Sequence, residues 1–363
     1  MKAWRVYGVD DMRLDDIPVP EVKPGWVLVK VKIVQLSITE IQQLKGIGVG
    51  GVNVDKMIKE QGPLQLFGHE FCGEVVEIGK GVETLKKGDR VFWARALPCH
   101  NCELCRAGQE KYCTTFLPLG MGVPGCLAEY CALPADSGIV SVPDEVTDSE
   151  AATMQPLVSC VGNVVATEIE AGDTVAVLGQ GLMGLNTMQA ARVCGAGKVI
   201  AVDIRDEALE VAKKVGADIT INANQIDPVE AVMEITKGLG AKVVFECAGG
   251  TPEQGLSGLK TLHQALDMVA HYGKIMQVAF LPPDAAVSIK AINDKGLIFM
   301  GRRHSFAKEV NYTVDLVASK RIQLAPYMTH TLEGLDKVPE AFEISGNKAK
   351  YHGVNPAQVI VTQ

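Results

Sequence analysis

The segment TVAVLGQGLMGLNTMQAARV constrains this chain more than any other. An apolar strand runs straight into Gly179-x-Gly181-x-x-Gly184, and a helical pattern follows at once. The first glycine permits the tight turn, the second lets backbone approach a pyrophosphate, and the third lets helix and sheet pack closely. Leu182 and Met183 then open the helix at the end that attracts anions. The next strand, VIAVDI, reaches Asp203 nineteen residues beyond Gly184, where a carboxylate accepts hydrogen bonds from ribose hydroxyls. A 2′-phosphate would meet that charge, so NAD is expected over NADP, with Arg205 two residues on softening the exclusion.

At 363 residues the chain exceeds one ordinary core and suggests two domains. Residues 156–301 alternate apolar runs with helical patterns, the texture of a parallel α/β sheet. The first 150 residues carry short strand-like runs instead (VLVKVKIV, GEVVEIG, DRVFWA, LAEYCALP), which suggest a rolled, mostly antiparallel barrel. The last sixty, with a helical stretch near 306–319, a short helix near 338–345 and a closing QVIVTQ strand, can return to that first domain. The Gly-rich then polar stretch 46–62 suggests a flap.

Four of the ten cysteines fall at Cys99-x-x-Cys102-x-x-Cys105-x7-Cys113. Four thiolates are what a closed tetrahedral zinc site needs, and such a site stabilises a loop instead of performing chemistry. Cys72, Cys126, Cys131, Cys160, Cys194 and Cys247 are scattered singly in apolar sequence and read as core. A net charge of -8 gives no electrostatic reason to expect nucleic acid or anionic membrane. With no secretory h-region and no membrane-length apolar run, a cytoplasmic, small-molecule role is expected.

Gly68-His69-Glu70, the run GHEFCGEVVEIGKGVETLKKGDRV, the four-Cys lobe and the glycine-rich unit together resemble zinc-containing alcohol, polyol and threonine dehydrogenases of the medium-chain superfamily. The resemblance covers essentially the whole chain. It implies a GroES-like β-barrel catalytic domain at 1–155 and 302–363, carrying the zinc lobe at 95–115, and a Rossmann domain at 156–301. It also implies an active site in the cleft between the domains and a homodimer or homotetramer.

The family's second, catalytic zinc is held by a Cys, the His of the GHE motif, and a Cys or acidic residue. Matching this chain to that pattern puts Ser37 at the Cys, Gln155 at the third ligand, and Gln42 where a proton-relay His often sits; His69 survives. Hydroxyl and amide oxygens bind zinc far more weakly than thiolate, imidazole or carboxylate, so one structural zinc and no catalytic zinc are expected, unless Glu70 or Cys160 supplies a ligand. Ser37, Thr39, Gln42, His69, Glu70 and Gln155 would then form a polar catalytic pocket, with His69 the natural acid or base. The first expectation is NAD-linked hydride transfer between a secondary alcohol and a ketone. The alternatives are zinc-independent reduction of an activated C=C bond, or an NAD-binding sensor or scaffold without turnover. Lys56, Lys59, Arg302 and Arg303 could bind a carboxylate or a CoA phosphate, or simply be solvated.

Overall fold

The computed structural model describes every residue except 48–52, 95–98, 100, 110–111, 114–118, 121–122, 137, 251–257, 283, 303–306 and 363. The chain divides into one unit of Met1–Gln155, Phe306–Ala318 and Met328–Gln363, and another of Pro156–Ser305 and Ser319–Tyr327.

In the first unit β1 (Lys2–Gly8) and β2 (Asp11–Asp16) form an antiparallel ribbon. The longest strand, β3 (Trp26–Gln35), reads WVLVKVKIVQ, with half-buried Lys30 and Lys32 between buried valines and isoleucine. After α1 (Ile38–Leu44) and α2 (Val54–Gln61) come β4 (Glu70–Ile78), β5 (Arg90–Trp93), α3 (Glu103–Arg106), β6 (Tyr130–Pro134), β7 (Ile139–Ser141) and α4 (Asp148–Ala152); α5 (Met154–Ala166) begins here and from Pro156 on belongs to the second unit.

The second unit alternates strictly, as a parallel sheet requires. Its elements are β8 (Thr174–Leu178), α6 (Leu182–Val193), β9 (Lys198–Asp203), α7 (Asp206–Lys214), β10 (Ile219–Asn222), α8 (Pro228–Ile235), β11 (Ala241–Glu246), α9 (Lys260–Met268), β12 (Val269–Gln277), α10 (Ile289–Lys295) and β13 (Ile298–Gly301). All pairings are parallel, in the order β10-β9-β8-β11-β12-β13. That order reverses direction between β8 and β11, the switch point where such sheets bind ligands beyond the strand ends. Ala176, Leu178, Ile200, Val202 and Val244 are all buried, because both faces of this sheet are covered. β12 starts five residues before its apolar KIMQ run. Its ladder with β11 is irregular between Ala241 and Val243, and Tyr272 takes φ 54 at 76% exposure.

The chain then adds α11 (Ala307–Ala318), β14 (Thr331–Glu333), α12 (Val338–Gly346) and β15 (Gln358–Ile360) to the first unit. Ser319–Tyr327, which the sequence pattern groups with the first domain, belongs to the second: Gln189 of α6 bonds Gln323 through both its amide atoms, and the Tyr327 hydroxyl donates to Asn186 at 2.5 Å.

The first unit depends on β3. One edge pairs with β4 along nearly its whole length; the other is divided between β6 at Trp26–Lys30 and β15 at Ile33–Gln35. The path continues as β14-β15-β3-β4-β5-β7, and among the described residues no ladder joins its ends. Val27, Val29, Val31, Phe71, Val91 and Leu127 lie in the core beneath it. Among the described residues no helix is long and apolar enough to cross a membrane.

Ile200→Ala, at a fully buried position of β9, is expected to destabilise the second unit by about 2–5 kcal/mol. Leu239→Ala, 75% exposed, should stay within about 0.5 kcal/mol of the parent. Denaturant unfolding of both variants checks the pair, and equal costs would contradict the packing described.

Candidate functional site

The glycine turn is sterically closed to side chains. Gly179 has φ 87, and a Cβ there would lie 2.9 Å from Ala248 backbone; one at Gly184 would lie 1.7 Å from the Gly179 carbonyl oxygen. Gly181, by contrast, has open space where its Cβ would be. It is the extended N-cap of α6 and supplies no side-chain cap, so the first N–H groups of a twelve-residue helix, on Leu182 and Met183, are left for a ligand. These residues fit a dinucleotide pyrophosphate.

Asp203 ends β9 beside this turn. Its Oδ2 accepts the Gln180 N–H at 2.6 Å, and its Oδ1 accepts those of Ile204 and Arg205 at 2.8 and 2.9 Å. Arg205 Nε lies 3.6 Å from Oδ1, so this cation is paired with the carboxylate. The carboxylate is thus oriented by backbone, and an ionised carboxylate has about four acceptor positions, so capacity for a hydroxyl remains.

In the first unit Ser37 is the N-cap of α1. Its side chain accepts the Thr39 N–H at 3.3 Å, and Glu40 returns a bond to the Ser37 N–H in a capping box. The box leaves the other Glu40 oxygen, Oε1, to accept N–H bonds from Gly68 at 2.7 Å and His69 at 3.2 Å, and to meet His69 Nδ1 at 2.5 Å. Gly68 must be glycine here: φ is 83, and a Cβ would lie 2.4 Å from the Leu127 nitrogen. With Nδ1 on Glu40, His69 turns Nε2 toward Glu70. That nitrogen lies 3.6 Å from Glu70 Oε1, while Glu70 Oε2 accepts from the Gln35 amide. Trp93 packs edge-on against the imidazole at 6.1 Å.

Burial pulls the His69 pKa down, but the charge and hydrogen bond of Glu40, with the charge of Glu70, more than reverse this and raise it to about 8. Burial also pushes the Glu70 carboxyl up, against the opposing effects of His69, Gln35 and Ser37. Thr39 and Gln42 lie half-buried on α1, and Gln155 half-buried on α5. Glu40, Gln35 and Trp93 were not anticipated. Glu40 had a legible signal, the Ser-x-x-Glu spacing of a capping box just before an apolar run. Its second role toward His69 is a long-range contact with no local signature.

Ser37 and Gln155 are weaker zinc donors than a thiolate or carboxylate, whereas His69 and Glu70 are of ligand type, with Nε2 and Oε1 3.6 Å apart. The Ser37 hydroxyl already caps a helix, and Gln155 offers only a neutral amide. Cys160 is fully buried in the second unit, where its thiol donates to the Met183 carbonyl at 3.4 Å and burial pushes its pKa up to about 12. Of the other cysteines assigned to the core, Cys72, Cys126 and Cys131 are buried, whereas Cys194 and Cys247 are only partly so. Lys56 and Lys59 lie exposed on α2, the described part of the anticipated flap, and Lys56 faces Glu60 at 3.9 Å. Arg302 donates to the Gly162 carbonyl; Arg303 lies outside the described residues.

Cys99, Cys102, Cys105 and Cys113 bring their sulfurs within 4.8 Å of one another, the one group of three or more such ligand atoms placed to hold a metal among the described residues. Cys99–Cys105 and Cys102–Cys113 stand at 4.0 Å, close to the roughly 3.8 Å edge of a tetrahedron with zinc–sulfur bonds of about 2.3 Å. Backbone N–H groups of Asn101 and Cys102 point at the Cys99 sulfur and lower its pKa to about 6, a preparation for thiolate ligation. These four fit a structural zinc; the outer parts of the 95–115 lobe lie partly outside the described residues. Cys113→Ser should lower zinc retained after purification to well below one per chain and reduce thermal stability. Mass spectrometry of metal content reads the first effect, and full retention would contradict a four-sulfur site.

Comparison with known proteins agrees with this geometry. Residues 23–144 match the alcohol dehydrogenase GroES-like domain, and residues 183–319 match the zinc-binding dehydrogenase domain. The chain is 34% identical over 346 residues to the L-threonine 3-dehydrogenase of Pyrococcus horikoshii, covering 95% of this chain and 94% of the relative. A zinc-binding dehydrogenase from Sinorhizobium meliloti 1021 bound to NADP superposes with TM-score 0.85 at 29% identity, over 99% of this chain and 98% of the other. The 2R,3R-butanediol dehydrogenase of Bacillus subtilis does so with TM-score 0.85 at 26% identity, over 99% of each chain. With both domain models matched and the similarity running nearly end to end, the chain belongs to the zinc-binding alcohol dehydrogenase family, as a nicotinamide-dependent oxidoreductase that carries zinc.

Proposed function

We propose that this dehydrogenase transfers hydride between NAD(H) and a secondary alcohol or ketone, with His69 moving the proton and without a catalytic zinc. The observation that carries this reading is the buried Glu40–His69 pair, which holds Nδ1 at 2.5 Å and commits Nε2 to exchange. A bound nicotinamide supplies the acceptor or donor of the hydride. In the oxidation direction Nε2 takes the hydroxyl proton as the C–H pair leaves, and Glu40 and Glu70 stabilise the imidazolium formed. In the reverse direction the imidazolium returns that proton to the carbonyl oxygen. Thr39, Gln42, Ser37 and Gln155 contribute neutral hydrogen-bonding groups around the substrate. The capped hydroxyl of Ser37 and the neutral amide of Gln155 favour proton chemistry over metal chemistry at this site.

Asp203 supports NAD as the preferred dinucleotide, since a 2′-phosphate would meet its carboxylate and Arg205 is already paired to it. Substrate trials start with the alcohols named by relatives, a β-hydroxy amino acid such as L-threonine and a vicinal diol such as 2,3-butanediol. We also assign the protein to the cytoplasm, on the support of ten free cysteines, and infer a homo-oligomer. Strand β13 is the edge of its sheet, with Ile298 49% exposed.

Alcohol oxidation with NAD should rise with pH through about 8, as His69 loses its proton, and ketone reduction should fall over the same range. Glu40→Gln removes the charge that raises this pKa, so both limbs should move to lower pH. His69→Ala should lose roughly 10²–10⁴-fold in kcat. Steady-state pH profiles, read beside zinc per chain, check the proposal. A His69→Ala protein within threefold of wild type, or two zincs per chain in active enzyme, would sink it; activity on an enone alone would replace the alcohol by a C=C bond. Light scattering that finds a monomer would remove the oligomer.

A further inference from the structure

The C-terminal end of β11 holds a carboxylate that the reaction above does not use. Glu246 is fully buried, at the register position opposite Leu178 of β8, and so sits at the switch point of the sheet. Its Oε1 accepts hydrogen bonds from the N–H groups of Ala248 and Gly249 at 3.0 and 2.8 Å, and from the Thr261 hydroxyl at 2.8 Å. Its Oε2 accepts the Gln277 amide of β12 at 2.5 Å. Burying a carboxylate is costly unless its acceptor positions are filled, and among the described residues the donors come from the turn after β11, from α9 and from β12.

That turn is the wall against which the glycine-rich loop is built. The absent Cβ of Gly179 would lie 2.9 Å from Ala248, and that of Gly249 would lie 2.4 Å from Ala279. The turn is therefore wedged between the phosphate-side loop and the segment after β12, with no room to shift toward either. Gly249 and Gly250 take φ 34 and 75, and the Gly250 N–H closes the wedge by donating to the Phe280 carbonyl at 2.7 Å. A turn of two left-handed glycines has little conformational preference of its own, so an external anchor must set its position.

We propose that Glu246 is a positioning residue for the dinucleotide: its carboxylate clamps the Cys247–Gly250 turn against Gly179 and so presets the shape of the crevice before any ligand enters. The inference rests on the dinucleotide assignment of the second unit but not on the His69 reading. Glu246 touches no substrate. It acts by keeping ordered a wall that would otherwise have to be ordered on binding, and that ordering would subtract from affinity.

Glu246→Gln keeps the shape but leaves only a neutral amide oxygen to accept the Ala248 and Gly249 N–H bonds and the Thr261 hydroxyl bond, and turns an NH2 toward the Gln277 NH2, so each bond that holds the turn is weakened. In the full-length, zinc-loaded protein, fluorescence titration should then show NADH binding weakened roughly tenfold, the order expected when a charge-assisted hydrogen bond is lost. Hydrogen exchange without ligand should quicken at the Ala248 and Gly249 amides while β9 amides keep wild-type rates. Thr261→Val removes one donor and leaves the carboxylate; it should weaken NADH by about two- to threefold and decides the matter if Glu246→Gln does not fold. Wild-type affinity in both folded variants would overturn the clamp, as would exchange quickened equally in β9. A parent protein that binds neither NADH nor NADPH would overturn the dinucleotide assignment, and the clamp with it.

Discussion

One buried carboxylate organises the chemistry of the first unit. Glu40 is fully buried, and its two oxygens serve the Ser37 N–H, the Gly68 and His69 N–H groups, and His69 Nδ1. A charge in that position would cost several kcal/mol if it were unpaired, so the surrounding backbone can take few other shapes. It ties the start of α1 to the turn that enters β4, and it sets which imidazole nitrogen faces Glu70. The left-handed Gly68 and the tight approach of Leu127 belong to the same constraint, because they bring the two N–H groups onto one oxygen.

The second unit repeats this logic with a different carboxylate. Glu246 gathers its donors at the place where the sheet reverses its winding, and the glycine loop is packed against the turn it holds. In both units a buried acid spends its hydrogen-bonding capacity on backbone amides next to a left-handed glycine. Each unit thereby holds, by itself, a preorganised surface braced by a buried carboxylate. The zinc lobe adds local order by similar means, since backbone N–H groups at the cysteine turns point at the sulfurs that would hold the ion.

Local pattern and long-range contact contributed differently. Short apolar runs located β3, β4, β5, β8 and β9 because strands in a buried sheet have no other way to read. The Gly179–Gly184 loop and the cysteine spacing were legible for the same reason: each is a short-range solution to a steric or ligand demand. The start of β12 is not legible in the sequence, because Val269–Gly273 neither alternate nor form a continuous apolar run, and only pairing with β11 makes them a strand. The Ser319–Tyr327 segment carries no marker of its allegiance; its side-chain bonds to α6 decide it.

The amino-acid sequence alone determined the fold class, the zinc lobe and the dinucleotide loop. Each is a property of residue type at fixed spacing, and covalent connectivity holds that spacing. Only the tertiary structure decided that Glu40 would be the partner of His69, that Cys160 would be spent inside the second unit, and that Glu246 would brace the turn at the switch point. Those pairings join residues up to 29 positions apart, or across strands, and no local periodicity records them. They arise because a buried polar group must find a partner, and which partner lies within reach is settled only when the sheets have packed.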